Sequence, residues 1–323
     1  MSSTSYSDIY DEVNIMKLVG QDWEKAAKIM QSGIVKLDTR PMKGTQVSEL
    51  RQTLFQDTSG QALKAGDTIS SQKEVQARIK HPIIWRYQSA DQPDVIDEIK
   101  NEGYPSENTA MAQAIVAAAA QYLDDSAIAT IRGTGAVLTE NQNDDNTNVI
   151  SLDNLVDTKA KLGDEGVNLN GGSIALRSEP YWKLVTLGLI AATSNTYGNA
   201  AQDEMVRNGQ LPQNVLGLTP MVDDKFTDLT SNKYYVYLIG ANSLVIRGSS
   251  QPIVKVAEST VNKKFSTITN FKVNYAIGFD GMNYGGTAAE DVSDTDLATS
   301  GNWALGAAYS KNIPLARLHI KTA

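Results

Sequence analysis

Residues 105–133, PSENTAMAQAIVAAAAQYLDDSAIATIRG, leave little choice of local structure. Met111, Ile115, Ala118, Ala119 and Tyr122 recur at steps of three and four, and Ile128 and Ile131 carry the stripe into the last turns. That is helical periodicity. Ser106, after Pro105, stands where an N-cap is wanted, and Gly133 where a helix stop is expected. At 1.5 Å per residue the predicted helix over 105–132 is about 40 Å long, enough to cross a domain. The four alanines Ala117–Ala120 favour the helix and also let a neighbouring element come close.

Upstream, the period changes to two. In Glu74–Lys80, Val75, Ala77 and Ile79 share one face, with charged or amide residues on the other. Gln46–Phe55 is also strand-like, with Leu50 and Leu54 on a shared face, and Asp57–Asp67 between the two runs is rich in turn formers. Together they predict a long β-hairpin with Lys64 at its tip. A two-stranded ribbon is marginal alone, so the stripe of Val75, Ala77 and Ile79, opposite Leu50 and Leu54, calls for a second surface. Further back, Ile15, Leu18, Val19, Trp23, Ala26, Ala27 and Met30 keep helical spacing and predict a helix over Asp8–Met30. The simpler expectation packs it on its own domain; the alternative is an arm on a neighbour.

Downstream of the long helix, a polar loop over 140–148 leads into a helix over Ser151–Leu162, capped by Ser151. A short buried strand follows at Ser173–Leu176, then a helix over Glu179–Ile190 with Pro180 at a tolerated early position. Val215–Val222 reads as a strand interrupted by Pro220. The last third has strand composition at Tyr234–Ile239, Ser243–Gly248, Ile253–Val256, Phe271–Met282 and within Trp303–Ile320. The chain is α+β, without internal repeats.

Composition closes off several kinds of chemistry. A formal charge of −8 and a pI near 4.9 argue against a nucleic-acid reader, which carries a basic face. The absence of cysteine excludes disulfides, thiolate metal sites and cysteine nucleophiles. With His81 and His319 the only histidines, a histidine-rich metal centre is nearly excluded as well. The acidic stretches Asn141–Asp145 and Glu290–Asp296 lack the glycine and closing glutamate of a calcium loop, and read as solvated. Gly133-Thr134-Gly135 and Gly171-Gly172-Ser173 fit no phosphate or dinucleotide fingerprint; they read as a helix stop and the start of a strand. No nucleophile elbow is present, the N-terminus has no secretion-signal pattern, and no apolar run reaches membrane length. The expectation is therefore a protein with no catalytic residue, cofactor or metal.

The order of elements resembles the major capsid proteins of tailed double-stranded DNA bacteriophages, the HK97-type fold that encapsulins also use. Local wording agrees. Ser151–Leu155 through Gly171–Leu187 looks like the opening of the family's axial domain, and Gly217–Asp224 like its Gly–apolar–Val–Asp strand. Phe271–Phe279 and Asn302–Pro314 look like the end of one coat subfamily. The resemblance implies an N-terminal arm at 1–43, an extended E-loop hairpin at 44–85, and a peripheral domain at 86–147 holding the spine helix 105–132. An axial domain at 148–233 follows, with a β-rich return at 234–323 completing both.

It further implies a non-enzymatic coat subunit that assembles as hexamers and pentamers into an icosahedral head around double-stranded DNA. Axial domains would surround the local symmetry axes and E-loops would lie across neighbours. Leu50, Leu54, Lys64, Val75, Ala77 and Ile79 would then form an assembly interface covered only in the shell. Expected partners are a portal, a decoration protein and a scaffold; with the arm starting almost at Met1, the scaffold would be a separate protein or a preceding part of a precursor. The protein would reside in the virion after assembly in the host cytoplasm, without a membrane. Some members crosslink an E-loop lysine to a neighbour's asparagine; Lys64 has the position, but no matching asparagine and glutamate are identified, so that chemistry is not carried over. Two alternatives stay open: an encapsulin-like compartment, distinguished by protein cargo, and an α+β enzyme with a scattered site, distinguished by a defined small-molecule pocket.

Overall fold

The computed structural model describes residues 26–38, 40, 42, 44–53, 75–93, 107–143, 149–163, 169, 171–194, 216–226, 233–248, 253–259, 266–287, 292–306 and 313–321. In chain order the helices are α1 (Lys28–Gln31), α2 (Glu107–Val137), α3 (Leu152–Ala160), α4 (Ser178–Ser194) and α5 (Asp294–Ala298). The strands are β1 (Val35–Asp38), β2 (Gln46–Thr53), β3 (Val75–Pro93), β4 (Gln142–Asn143), β5 (Ser173–Leu176), β6 (Thr219–Val222) and β7 (Lys233–Ile239). They continue with β8 (Leu244–Arg247), β9 (Ile253–Ser259), β10 (Ser266–Phe279), β11 (Met282–Tyr284), β12 (Trp303–Leu305) and β13 (Leu315–Lys321).

The long helix α2 has 31 residues and outruns its expected end. Gly133 does not stop it, because its role is close approach. A Cβ there would lie 2.1 Å from the Leu297 carbonyl oxygen and 2.8 Å from the Trp303 indole nitrogen, and that indole N–H donates to the same carbonyl at 2.7 Å. Gly135 likewise leaves room for the Tyr237 ring. Ser106, the expected cap, lies outside the described residues.

Against α2 packs a sheet in the order β1-β8-β10-β3-β2, with β9 also on β10. Strand β10 follows the period-two rule: Phe271, Val273, Tyr275, Ile277 and Phe279 are buried in the core with α2, while Lys272 and Asn274 are only partly buried on the alternate positions. A polar clamp fastens helix to sheet. The Ser126 hydroxyl donates to Asp294 Oδ1 at 2.8 Å and lies 2.9 Å from the buried Tyr275 hydroxyl, and Arg86 reaches the same Asp294 oxygen at 2.6 Å. Tyr275 Oη donates to the Tyr122 carbonyl, and burial pushes its pKa well above the ordinary phenol value.

A second sheet runs β4-β13-β7-β5-β6 and lies between two cores. In β7, Tyr237 and Ile239 belong to the α2 core, whereas Val236 and Leu238 belong to a core with Leu155 of α3 and Leu184 of α4. This double burial explains why Tyr234–Ile239 reads as a continuous apolar run with no alternation. Ser151 caps α3 by accepting from the Asn154 N–H at 3.2 Å, as its sequence position suggested. Pro220 does not interrupt β6; it sits within this end strand of the sheet, where a missing N–H is tolerated.

Two expectations need correction. The helix expected through Met30 breaks at Ala27, which is extended (ψ 132°) between helical Ala26 and α1; its part before Ala26 lies outside the described residues. The ribbon register also differs from the expected stripe. Val75, Ala77 and Ile79 stand across from Thr53, Arg51 and Glu49, and Leu50 pairs with Arg78, so the stripe and Leu50 have opposite parity in the pleat.

Candidate assembly surface

The ribbon is the element singled out for assembly, and its root is part of the subunit. Strand β3 runs 19 residues, far past the strand-like run Glu74–Lys80, because β10 pairs with it from Ile83 to Pro93. His81 is therefore a buried mid-strand residue, its ring filling the space that Gly278 leaves open. Val47, Ile83 and Ala276 form a small core with Met42 and Trp85 against it. The Lys80 N–H donates to Asn283 Oδ1 at 2.9 Å, tying the ribbon to β11. Ile79 is 1% exposed in the single chain. Its expected role as a side chain covered only in the shell is overturned: it is core. Leu54 and Lys64 lie outside the described residues, and Leu50, Val75 and Ala77 are described by backbone register alone.

The chain leading into β2 is anchored by ions. Asp38 accepts from Arg247 Nε at 3.0 Å and Nη2 at 2.5 Å, and from Arg40 Nη2 at 2.6 Å. Its bonds to Arg40 and Arg247 hold the carboxyl far below the usual carboxylate range. Asp38 and Arg247 are both nearly buried, so Asp38→Asn leaves Arg247 without its charge partner and is expected to cost about 3 kcal/mol. Because the folded pKa is depressed, this contribution is present above the unfolded pKa near 4 and fades as pH falls below it. Denaturant melts of the isolated subunit at neutral pH and in acid check both points: wild type and Asp38→Asn should differ widely at neutral pH and converge in acid.

The surface residues that sequence reasoning missed lie elsewhere. Tyr87 is 62% exposed, and register aligns it with Lys272 of β10 and Ile253 of β9 in one row across three strands. The Lys272 ammonium lies 3.6 Å from the Trp85 ring centroid. Trp182 of α4 and Leu152 and Val156 of α3 are exposed on the helices beside the second sheet. The signal for Tyr87 was available in the alternation Ile83, Trp85, Tyr87, but it fell beyond the presumed end of the hairpin.

The residues weighed for chemistry have structural duties. The Asn141 amide is buried and donates to the Leu315 carbonyl at 3.1 Å. Ser293 and Asp296 form a capping box on α5, and Asp294 holds Arg86. The His319 ring lies against Tyr235, with centroids 4.8 Å apart. Asp144 and Asp145 lie outside the described residues. Among the described residues no group of three or more acidic or histidine side chains is arranged to hold a metal, and no helix is long and apolar enough to cross a membrane.

A long helix on a sheet, a second sheet shared between two cores and a ribbon extending from the first sheet together make the HK97-type fold of viral shell subunits. Solved structures agree: the capsid of cyanophage P-SCSP1u is similar at 11% identity and TM-score 0.58, over 92% of this chain and 89% of that one. The capsid of cyanophage Pam1 is similar at 8% identity and TM-score 0.56, over 94% of both chains. Microbacterium phage Oxtober96 gives 13% identity and TM-score 0.53, over 94% and 91%. No curated protein sequence matches. Residues 101–314, more than half the chain, match the Gp13-like family, described as major capsid protein 13-like, and the chain belongs to that family. It is a phage coat protein, structural and not enzymatic, that forms the oligomeric shell of the virion head.

Proposed function

We propose that copies of this coat protein close into an icosahedral head of hexamers and pentamers around double-stranded DNA, with each β2–β3 ribbon lying across a neighbour. Membership of the major capsid family over 101–314 is the observation that carries this reading. The ribbon's place supports its second half. Strand β2 ends its sheet and among the described strands bonds only to β3, and an open edge strand is a hazard unless something covers it. Leu50, Leu54, Lys64, Val75 and Ala77 are the ribbon residues assigned to the neighbour contact, while Ile79 stays in the subunit core. A separate scaffolding protein, a portal and a decoration protein complete the set of partners, and assembly takes place in the host cytoplasm. The charge of −8 suits a wall to which packaged DNA must not adhere.

Electron microscopy and light scattering of the protein coexpressed with its scaffold test this. Closed shells are expected; monomers and dimers alone would sink the reading, and shells filled with protein cargo would redirect it to a compartment. Boiled particles should run as a single band at 34.9 kDa, and a ladder resistant to denaturation would instead implicate covalent crosslinks.

A further inference from the structure

Two helices cover the same face of the second sheet, since Leu155 of α3 and Leu184 of α4 meet Val236, Leu238 and Leu318 in one core. Their outer faces are bare. Leu152, Val156 and Trp182 are 46%, 49% and 55% exposed, so the lone subunit leaves large apolar side chains uncovered on this layer. Helical spacing sorts them with charges of opposite sign. On α3, Leu152 and Val156 form one stripe, and the exposed Asp153 and Asp157 form the stripe beside it. Lys159 of the same helix is occupied within the chain, its ammonium donating to the Leu216 carbonyl at 2.9 Å. On α4, Trp182 and the exposed Lys183 border a depression of about 180 Å³ that Ile150, Ile320 and Lys321 also line. The acid nearest in sequence, Glu179, already accepts from the Tyr234 hydroxyl at 2.5 Å. Asp153, Asp157, Lys183 and Lys321 make no ion pair among the described residues.

We propose that the α3 face of one subunit docks on the α4 face of the next copy in a ring. Leu152 and Val156 pack against Trp182 and its depression, and Asp153 and Asp157 face Lys183 and Lys321. The inference rests on the reading of the shell as built from rings of five and six copies. A closed ring larger than a pair repeats one heterologous contact, in which a patch meets a different patch. Each copy offers two such patches, one apolar and acidic, the other apolar and basic. A two-fold contact of either patch with itself would set aspartate against aspartate or lysine against lysine, which complementary interfaces avoid. The patches also stand apart in the fold. Helix α3 packs on β13 and β4 at one side of the sheet, with the Asn143 amide donating to the Asn154 carbonyl at 3.4 Å. Helix α4 is tied at its start to the turn after β6, at the other side, where Asp224 accepts from the Ser178 N–H at 3.1 Å. One subunit can therefore use both patches at once. Trp182 is the residue type that anchors interfaces, a rigid aromatic beside an apolar hollow.

Charge exchange tests the contact in the full chain coexpressed with its scaffold. Asp153→Lys/Asp157→Lys and Lys183→Asp/Lys321→Asp are each expected to lower shell yield about tenfold, because like charges then meet across the contact. All four changes in one chain should restore most of that yield, since the patches match again with their signs exchanged. The four sites are exposed, so the circular dichroism and melting of the subunit should stay near wild type. Unchanged yield in both double variants would overturn the contact, which is the result expected if a different protein covers these faces. Failure of the fourfold variant to recover would overturn it too. Val156→Cys/Thr186→Cys, in a chain with no cysteine of its own, keeps Trp182 and gives a second measurement. A bifunctional maleimide applied to its shells should yield a ladder ending at five and six copies, and either substitution alone should yield none. Links at monomer mass only, or dimers from a single substitution, would overturn the contact. A wild-type chain that makes no shells would sink the ring reading and this contact with it, whereas shells without the 156–186 ladder would sink this contact alone.

Discussion

Ile79→Asp is expected to abolish the folded subunit, not merely the shell. Ile79 is 1% exposed, and Glu49 stands across from it in register. Losing the aliphatic side chain from such a site costs about 2–5 kcal/mol by itself. A carboxylate left there without a partner adds several kcal/mol more. Against a typical total of about 5–15 kcal/mol, the sum is most or all of the stability. Soluble yield and far-ultraviolet circular dichroism of the isolated subunit measure it. Leu50→Asp is the contrast. Leu50 pairs with Arg78, an exposed cation able to face the new carboxylate, so that subunit should fold and lose only assembly. A folded, abundant Ile79→Asp protein that makes no particles would restore the view that this side chain is covered by a neighbour.

The contrast shows where sequence pattern was informative. Period two along Val75–Ile79 correctly marked a strand with one apolar face, because pleat parity is a local property. What covers that face is not local. The residues that lengthen β3 and help hold its root, such as Asn283 of β11 and Ala276 of β10, lie about 200 positions away, and no spacing rule connects them. The helix α3 and the strand at Ser173–Leu176 were legible for the same local reason: Ser151 caps what it precedes, and four successive apolar or small residues fit a strand buried on both faces. The order of these elements was enough to suggest the family, since order survives when identity falls to 8–13%. The exposed row Tyr87–Lys272–Ile253 was beyond reach, because it exists only once three distant strands share a register.

Gly133→Val should be the most damaging change in α2, and it separates the two meanings a glycine can have. Were Gly133 a helix stop, a side chain would be tolerated with modest strain. In an exposed helix interior, Gly→Ala even stabilises by about 1 kcal/mol. Here the first atom added meets the Leu297 carbonyl oxygen at 2.1 Å, and that oxygen is backbone, held in place by the Trp303 indole. Neither α5 nor Trp303 can retreat freely: Leu297 and Trp303 are buried in the main core, and Asp294 is tied to Arg86 and Ser126. Alanine should already reverse the usual gain and destabilise by about 1–3 kcal/mol, as overpacking does, with valine worse. The polar clamp should fail with it, so Tyr275 and Trp303 fluorescence should report the displacement of α5 before the subunit melts. Gly301→Ala is the control, since a Cβ there meets nothing within 4 Å. If Gly133→Val melts within a degree or two of wild type, α5 does not pack on α2 as described.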